Sequence, residues 1–209
     1  MLDNIKINAH SSIRIEAGPV IYVDPFMVKE EPHDADIVMF THSHYDHFSP
    51  EDFVKVMNDE TMFVLPASMA RTTEFDMLPA GRTVLLAPGG KANVFGVALE
   101  AVPAYNLGKQ FHPEANMWIG YLITTQGTTY YVAGDTDVTK DNLAVRCDVA
   151  LVPVGGTYTM TAEEAAGLIN EIKPQYAVPT HYGSIVGNPG DGKKFASLVG
   201  EPVEVVLKL

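Results

Sequence analysis

The sequence predicts a mixed α/β domain in which two strand-rich halves pack face to face and bring their loops to one edge. Short runs rich in Val, Ile, Tyr and Thr, broken by Gly, Pro, Asn and Asp, outnumber the helical patterns. The helices that do occur carry explicit start signals. An internal echo pairs "VIYVDPF" (20–26) and "ADIVMFTHSH" (35–44) with "TYYVAGDT" (129–136) and "CDVALVPVGG" (147–156). Each pair is an apolar strand ending in an aspartate, Asp24 or Asp135, then an Asp-led apolar strand running into a polar loop. Two halves of similar design follow from that echo.

In chain order, strands are predicted over 4–8, 12–16, 19–23 and 36–41, where apolar and β-branched residues end at turn-forming ones. Ser49-Pro50-Glu51-Asp52 then supplies an N-cap serine, a proline at the first helical position and two acids in the first turn, predicting a helix over 50–58. Further strands are expected over 61–65, 83–87, 92–103, 117–124, 128–133 and 148–153, with weaker helical patterns over 67–75 and 138–144. Thr161-Ala-Glu-Glu164 is a capping box opening a helix over 161–171, closed by Lys173-Pro174. A strand over 176–180, a helix over 191–199 and a strand over 203–208 complete the pattern. No linker or low-complexity tract divides the chain, so residues 1–209 are read as one domain.

Composition narrows the function classes. The hydrophobic content of 46% suffices for a real core, and the single cysteine, Cys147, excludes an intramolecular disulfide and a thiolate-built metal site. The N-terminus lacks a basic region before a long apolar run, and no stretch approaches the roughly 20 apolar residues of a membrane span. A cytoplasmic, soluble protein is expected. With 14 Lys+Arg against 26 Asp+Glu the formal charge is -12, which argues against nucleic acid as a partner. A small-molecule substrate fits this balance, and a homo-oligomer is compatible with it.

The segment "DIVMFTHSHYDHFSPED" (36–52) places three of the seven histidines and an aspartate within six positions after an apolar strand. Extended side chains alternate, so His42 and His44 point the same way, with Asp46 and, past a turn, His47 facing the same space. Neutral imidazole and carboxylate suit Zn and similar divalent ions. Four such groups exceed one tetrahedral site that also binds water, so the spacing points to two ions sharing the cluster. Burying so many groups that titrate near neutrality without a metal or charge partner is costly.

"THSHYDH" resembles the H-x-H-x-D-H signature of the metallo-β-lactamase-fold hydrolases, and the likeness runs over nearly the whole chain. "VDPF" (23–26) resembles the first motif of that superfamily, "AGDTD" (133–137) its bridging-aspartate motif and "VPTHYG" (178–183) its last histidine motif. "AHSSIRIE", "PVGGTYTMTAEEA" and "VPTHYGS" are similar to the branch that contains ascorbate-6-phosphate lactonase-like and N-acyl-phosphatidylethanolamine phospholipase D-like proteins. The resemblance implies a four-layered αββα sandwich and a dinuclear metal site, most commonly zinc, with Mn, Fe or Ni as other occupants.

Residue by residue, the resemblance assigns His42 and His44 to the first metal, Asp46, His47 and His181 to the second, and Asp135 as the bridge. The third histidine of the first site is the departure, because Asn106 in "VPAYN" occupies its slot. His112 in "KQFHPEAN" is the only histidine in that loop, and a six-residue displacement still brings it within reach. Without it the first site keeps two histidines and Asp135. The redox di-iron members carry Glu where His44 stands, and the cysteine-dependent β-lactam hydrolases carry Cys where Asp135 stands, so neither activity is expected.

The implied chemistry is hydrolysis of a lactone, carboxylic ester or phosphodiester in a small substrate, with or without a phosphate, by a metal-bound hydroxide, oriented by Asp46 and Asp135 as catalytic residues. Asp24 is read either as an acceptor behind a ligand histidine or as a strand-end turn residue, and His10 as either near the metals or structural. His33 lies at the other end of its strand and Trp118 is read as core. Substrate contacts are expected from 105–116, 155–160 and 182–192, where Lys109, Tyr158 and Tyr182 supply donors, Gly155-Gly156 offers backbone N–H groups to an anion, and the last loop moves as a lid. The alternative is a metal-binding regulatory or scaffold protein whose first site, weakened at Asn106, no longer catalyses.

Overall fold

Strands whose residues are apolar on both faces must be covered on both faces, and that requirement sets the layers here. In β4 (Ala35–Met39) Ile37 and Met39 enter one core while Val38 and the following Phe40 enter another. In β11 (Val149–Pro153) Val149 and Leu151 join the same inner core as Ile37, whereas Ala150 and Val152 face outward to a third cluster.

The computed structural model describes residues 2–209. One sheet has the order β1 (Ile5–Ala9), β2 (Ser12–Glu16), β3 (Val20–Val23), β4, β5 (Met57–Pro66), β6 (Thr83–Leu86). The chain then crosses to a seven-stranded sheet ordered β13 (Glu204–Val205), β12 (Tyr176–Thr180), β11, β10 (Thr128–Val132), β9 (Ile119–Thr125), β8 (Val97–Pro103), β7 (Lys91–Val94). The inner core lies between the sheets, with Ile13, Ile15 and Ile21 on one side and Leu99, Tyr121 and Ile123 on the other. Residues of α1 (Pro50–Val56) and Phe75 of α2 (Thr73–Asp76) pack outside the first sheet. Residues of α4 (Ala162–Ile172) and α5 (Asp191–Leu198) cover the second, and α3 (Lys140–Leu143) touches α4. The result is the expected helix, sheet, sheet, helix sandwich.

The internal echo corresponds to real geometry. β3 and β4 pair in parallel, as do β10 and β11. In both pairs the leading aspartate of the second strand accepts from the start of the first: Val20 N–H donates to Asp36 at 2.7 Å and Thr129 N–H to Asp148 at 2.8 Å.

Several elements differ from expectation. The single strand predicted over 92–103 is a hairpin, β7 and β8, because Phe95 and Gly96 both take positive φ (51° and 82°) and turn the chain. Phe95 continues the apolar pattern and so conceals the turn. The helix expected over 67–75 splits into a 3-10 turn, Ala67–Arg71, and α2, while those over 50–58 and 138–144 shorten to α1 and α3. β5 begins directly after α1, and the strand expected over 203–208 shrinks to two residues. Ser49 does precede α1, yet its hydroxyl donates to Asp52 at 2.8 Å instead of capping a helix N–H. Among the described residues no helix is long and apolar enough to cross a membrane.

Phe40 follows β4 and anchors the outer core beneath the histidine loop, with ring centroids 4.5 Å from Phe48 and 5.7 Å from Phe53. Phe40→Ala is expected to destabilise the metal-free protein by about 3–5 kcal/mol, read from the shift of its urea unfolding curve.

Candidate metal centre

Parallel strands send their carboxyl ends to one edge of a sheet, and the loops there converge. Asp24 follows β3, the histidine segment follows β4, Asp135 follows β10, Gly155 follows β11 and His181 follows β12. The turn between β1 and β2 adds His10, and the loop after β8 adds His112. His10 (53°), Asp24 (48°), His112 (58°) and His181 (58°) all hold positive φ, a conformation that costs L residues energy and clusters at functional sites. A Cβ at Gly155 would stand 2.2 Å from the His181 carbonyl oxygen, so glycine is what lets the loops after β11 and β12 meet. The His181 N–H in turn donates to the His10 carbonyl at 3.0 Å, tying the two sheets' loops together.

Two groups of ligand atoms result, and a third, His42, His47 and Asp135, joins them. His44 Nδ1 stands 3.1 Å from His42 Nε2 and 3.1 Å from His112 Nε2. A tetrahedral ion with bonds of about 2.0–2.1 Å separates its nitrogens by about 3.3 Å, close to this spacing. His10, Asp46, His47 and His181 form the second group. His10 Nε2 meets Asp46 Oδ2 at 3.1 Å, and the same oxygen is 3.6 Å from His47 Nε2 and 3.8 Å from His181 Nε2. Asp135 lies between the groups: Oδ1 is 3.3 Å from His47 Nε2, while Oδ2 is 3.3 Å from His112 Nε2 and 3.1 Å from His181 Nε2.

The donors present fit a divalent cation. His47 Nε2, both ring nitrogens of His181 and Asp135 Oδ1 are buried without a hydrogen-bond partner, an arrangement that is costly unless something else engages them. Burial pulls the His42 imidazole well below its ordinary pKa, helped by His47, and pulls His112 down to about 4, so these rings are neutral and free to ligate. Burial opposes ionisation of Asp135, but His181 and His47 outweigh it and hold the carboxyl well below its usual range. His47 behaves oppositely. Burial disfavours its charge, yet Asp135 and Asp24 overcome that and raise its pKa well above 6.5.

A cation binding at His47 would therefore have to displace its proton. A group whose pKa is raised holds its proton through neutrality, so affinity at this end of the site is expected to rise with pH. Zinc uptake near pH 7 should release protons from this residue, measurable with an indicator dye. His47→Gln should bind with less release.

Asp24 supports this arrangement from behind. Its Oδ2 lies 2.7 Å from His47 Nδ1 and accepts from the Thr41 hydroxyl at 2.7 Å, and Oδ1 accepts from the Thr41 N–H at 2.8 Å. The Thr41 hydroxyl also lies 3.0 Å from His42 Nδ1. Both rings are thus held on their outer nitrogens, leaving Nε2 toward the centre. Thr41 had no motif to flag it beyond its place at the strand end.

Asn106 meets the His112 ring on its other nitrogen, its side-chain amide nitrogen lying 3.2 Å from His112 Nδ1. Its N–H donates to the His112 carbonyl at 2.8 Å, and its side-chain amide donates to the carbonyls of Phe111 at 3.0 Å and Tyr158 at 2.6 Å. It fastens the loop that carries His112. Tyr182, expected to face a substrate, is instead packed in the outer core with its hydroxyl end against Gly192, where a Cβ would come within 2.3 Å. Lys109 is committed to Asp137 and the Thr159 carbonyl, and the Gly156 N–H donates to Met160 at 3.0 Å, so neither stands ready for an anion. Trp118, expected in the core, is half-buried with its rings 4.8 Å from His42 and His44. His33 lies far from the centre, bonded to the Met57 carbonyl at 2.9 Å.

A pocket of about 280 Å³ opens over both groups and is walled by Tyr45, Phe111, Tyr158, Ile185 and Val186. A second hollow of about 400 Å³, beside Lys6, Arg14 and Tyr22, contains no histidine, and its Arg14 is already paired with Glu16 and Asp34.

Known proteins share this design. The β-lactamase superfamily domain matches residues 4–181. A UPF0173 metal-dependent hydrolase of Thermococcus kodakarensis is 30% identical over 219 residues, spanning 97% of this chain and 95% of its own. A solved structure from Parabacteroides distasonis, named for a metal-dependent hydrolase, superposes with a TM-score of 0.81 at 27% identity, covering 98% of this chain and 92% of that one. Igni18, a metallo hydrolase of Ignicoccus hospitalis, superposes with a TM-score of 0.77 at 23% identity over 98% of this chain and 94% of its own, a likeness of fold. With the match over residues 4–181 and the two-sheet sandwich together, the chain belongs to the β-lactamase superfamily and has the metallo-β-lactamase fold.

Proposed function

We propose that this protein is a dinuclear metal-dependent hydrolase, most commonly zinc-loaded, that cleaves an ester-type bond in a small molecule. The observation that carries this reading is Asp135, whose Oδ2 stands 3.3 Å from His112 and 3.1 Å from His181 while Oδ1 stands 3.3 Å from His47, so that one carboxylate meets imidazoles of both groups. One ion would be held by His42, His44 and His112, the other by Asp46, His47 and His181, with Asp135 shared. Two bound divalent ions supply a water acidic enough to be deprotonated near neutral pH and polarise the substrate's carbonyl or phosphoryl oxygen.

The chain's own residues do the rest. Asp46 and Asp135 orient the attacking water by accepting from it, and His10 fixes Asp46 through the 3.1 Å contact. Asp24 and Thr41 keep His47 and His42 in the tautomers that present Nε2. The apolar wall of the pocket limits competing water. The names of the Thermococcus and Parabacteroides relatives support hydrolysis. The narrower likeness to lactonase and phospholipase D branches rests on the motifs alone, and we take a lactone, carboxylic ester or phosphodiester as the candidate bonds. The alternative, a non-catalytic scaffold whose first site is weakened at Asn106, is less favoured because the His112 imidazole stands 3.1 Å from His44. We place the enzyme in the cytoplasm, in keeping with its lone cysteine.

The test compares metal-loaded with chelator-stripped protein on generic lactones, carboxylic esters and phosphodiesters, extended by depletion from a metabolite extract. Turnover by the loaded form alone is expected. A fully loaded protein that depletes nothing would overturn the proposal.

A further inference from the structure

The pocket wall bears on which ester is taken. Apart from the histidines and aspartates of the centre, it consists of Tyr45, Phe111, Tyr158, Ile185 and Val186, with no lysine or arginine among the described lining residues. Phe111 and Tyr158 stack edge to face at 4.9 Å. Tyr45, Phe111 and Ile185 are 69%, 44% and 42% exposed at the mouth, an arrangement that leaves apolar surface in water until something covers it. A phosphorylated substrate needs a cation or a set of free backbone N–H groups beyond the metals. Lys109, in the same loop as Phe111, is paired with Asp137, and the Gly156 N–H donates to Met160. A formal charge of -12 adds repulsion for an anion.

We propose that the group flanking the scissile bond is uncharged and apolar, an aryl or branched alkyl substituent seated against Phe111, Tyr158 and Ile185, so that the substrate is an apolar carboxylic ester or lactone and not a phosphorylated one. This deepens the hydrolase reading of the same centre and rests on it. The phenols of Tyr45 and Tyr158 are the neutral donors left at the mouth for an ester oxygen. The pocket, about 280 Å³, is near the lower size of small-molecule sites and suits one ring with a short chain.

Binding tests the inference without turnover. The zinc-loaded protein is titrated by calorimetry with acetohydroxamate, benzohydroxamate and phosphoglycolohydroxamate, which share a metal-binding head and differ in the appended group. Benzohydroxamate is expected to bind at least about tenfold more tightly than acetohydroxamate, and the phosphorylated ligand no more tightly than acetohydroxamate. Phe111→Ala and Ile185→Ala, both at exposed positions and so harmless to folding, should shrink the benzoyl preference severalfold. Ile185→Lys should shift preference toward the phosphorylated ligand. Tightest binding of the phosphorylated ligand by the unaltered protein, no binding of any hydroxamate, or equal benzoyl preference in protein and variants would each overturn the inference. So would a dimer that Phe111→Ala dissociates while hydroxamate selectivity stays unchanged, since those side chains would then face a second copy. Selective benzohydroxamate binding without hydrolysis of any ester would retain the apolar subsite and reject the hydrolase reading, which keeps the two failures distinct.

Discussion

Asp135→Asn is expected to lower hydrolysis by about 10²- to 10³-fold or more and to reduce bound metal from the proposed two ions per chain to one or fewer. The substitution keeps the shape of the side chain and removes its charge. Asp135 is 4% exposed, its carboxyl is held ionised by His181 and His47, and it meets imidazoles of both groups. Two cations held close together repel, and a shared anion between them offsets that repulsion. A neutral amide cannot. Metal content by inductively coupled plasma mass spectrometry and kcat on the best ester of the panel report the two effects separately. Full metal content with undiminished kcat would show that the carboxylate is dispensable.

The second large effect is expected behind the site. Asp24 is 1% exposed and accepts three contacts, from the Thr41 N–H, the Thr41 hydroxyl and the His47 ring. Asp24→Ala leaves these groups buried without a partner, at about 1–3 kcal/mol each, so the metal-free protein should lose several kcal/mol of stability. Metal affinity should fall about 10- to 100-fold, because His47 loses the contact that fixes its tautomer. Asp24→Asn separates the two losses. It keeps an acceptor for Thr41 and so most of the stability, while still failing to hold His47 in its ligating form. Chemical denaturation and competitive chelator titration of both variants check this, and an alanine variant with unaltered metal affinity would place Asp24 among ordinary turn residues.

These expectations draw on residues of unequal legibility. The near-continuous apolar runs in "ADIVMF" and "CDVALV" marked both central strands, because a strand covered on two faces must be apolar on both. The Thr161–Glu164 capping box likewise placed α4 within a residue, since both of its hydrogen bonds form. The density of His42, His44, Asp46 and His47 pointed to the centre because so many titratable groups cannot be buried together for structural reasons alone. What stayed hidden depends on contacts between distant segments. Nothing in "YNLGKQFHPEAN" states that Asn106 fastens the loop that carries His112, since that follows from carbonyls of Phe111 and Tyr158 meeting one amide. Tyr182 packs in the outer core and Trp118 packs against the His42 ring, both contrary to expectation, because a large aromatic next to a strand end can turn either way. Ile185 and Val186 carry no chemical signature, and only the closing of the loop after β12 over the centre makes them a wall.

Anomalous diffraction from a crystal of the zinc-loaded protein tests the central claim most directly. Two zinc peaks about 3.5–4 Å apart are predicted, one among His42, His44 and His112 and the other among Asp46, His47 and His181, with Asp135 touching both. A single peak, or two peaks of which Asp135 contacts one or neither, would contradict it.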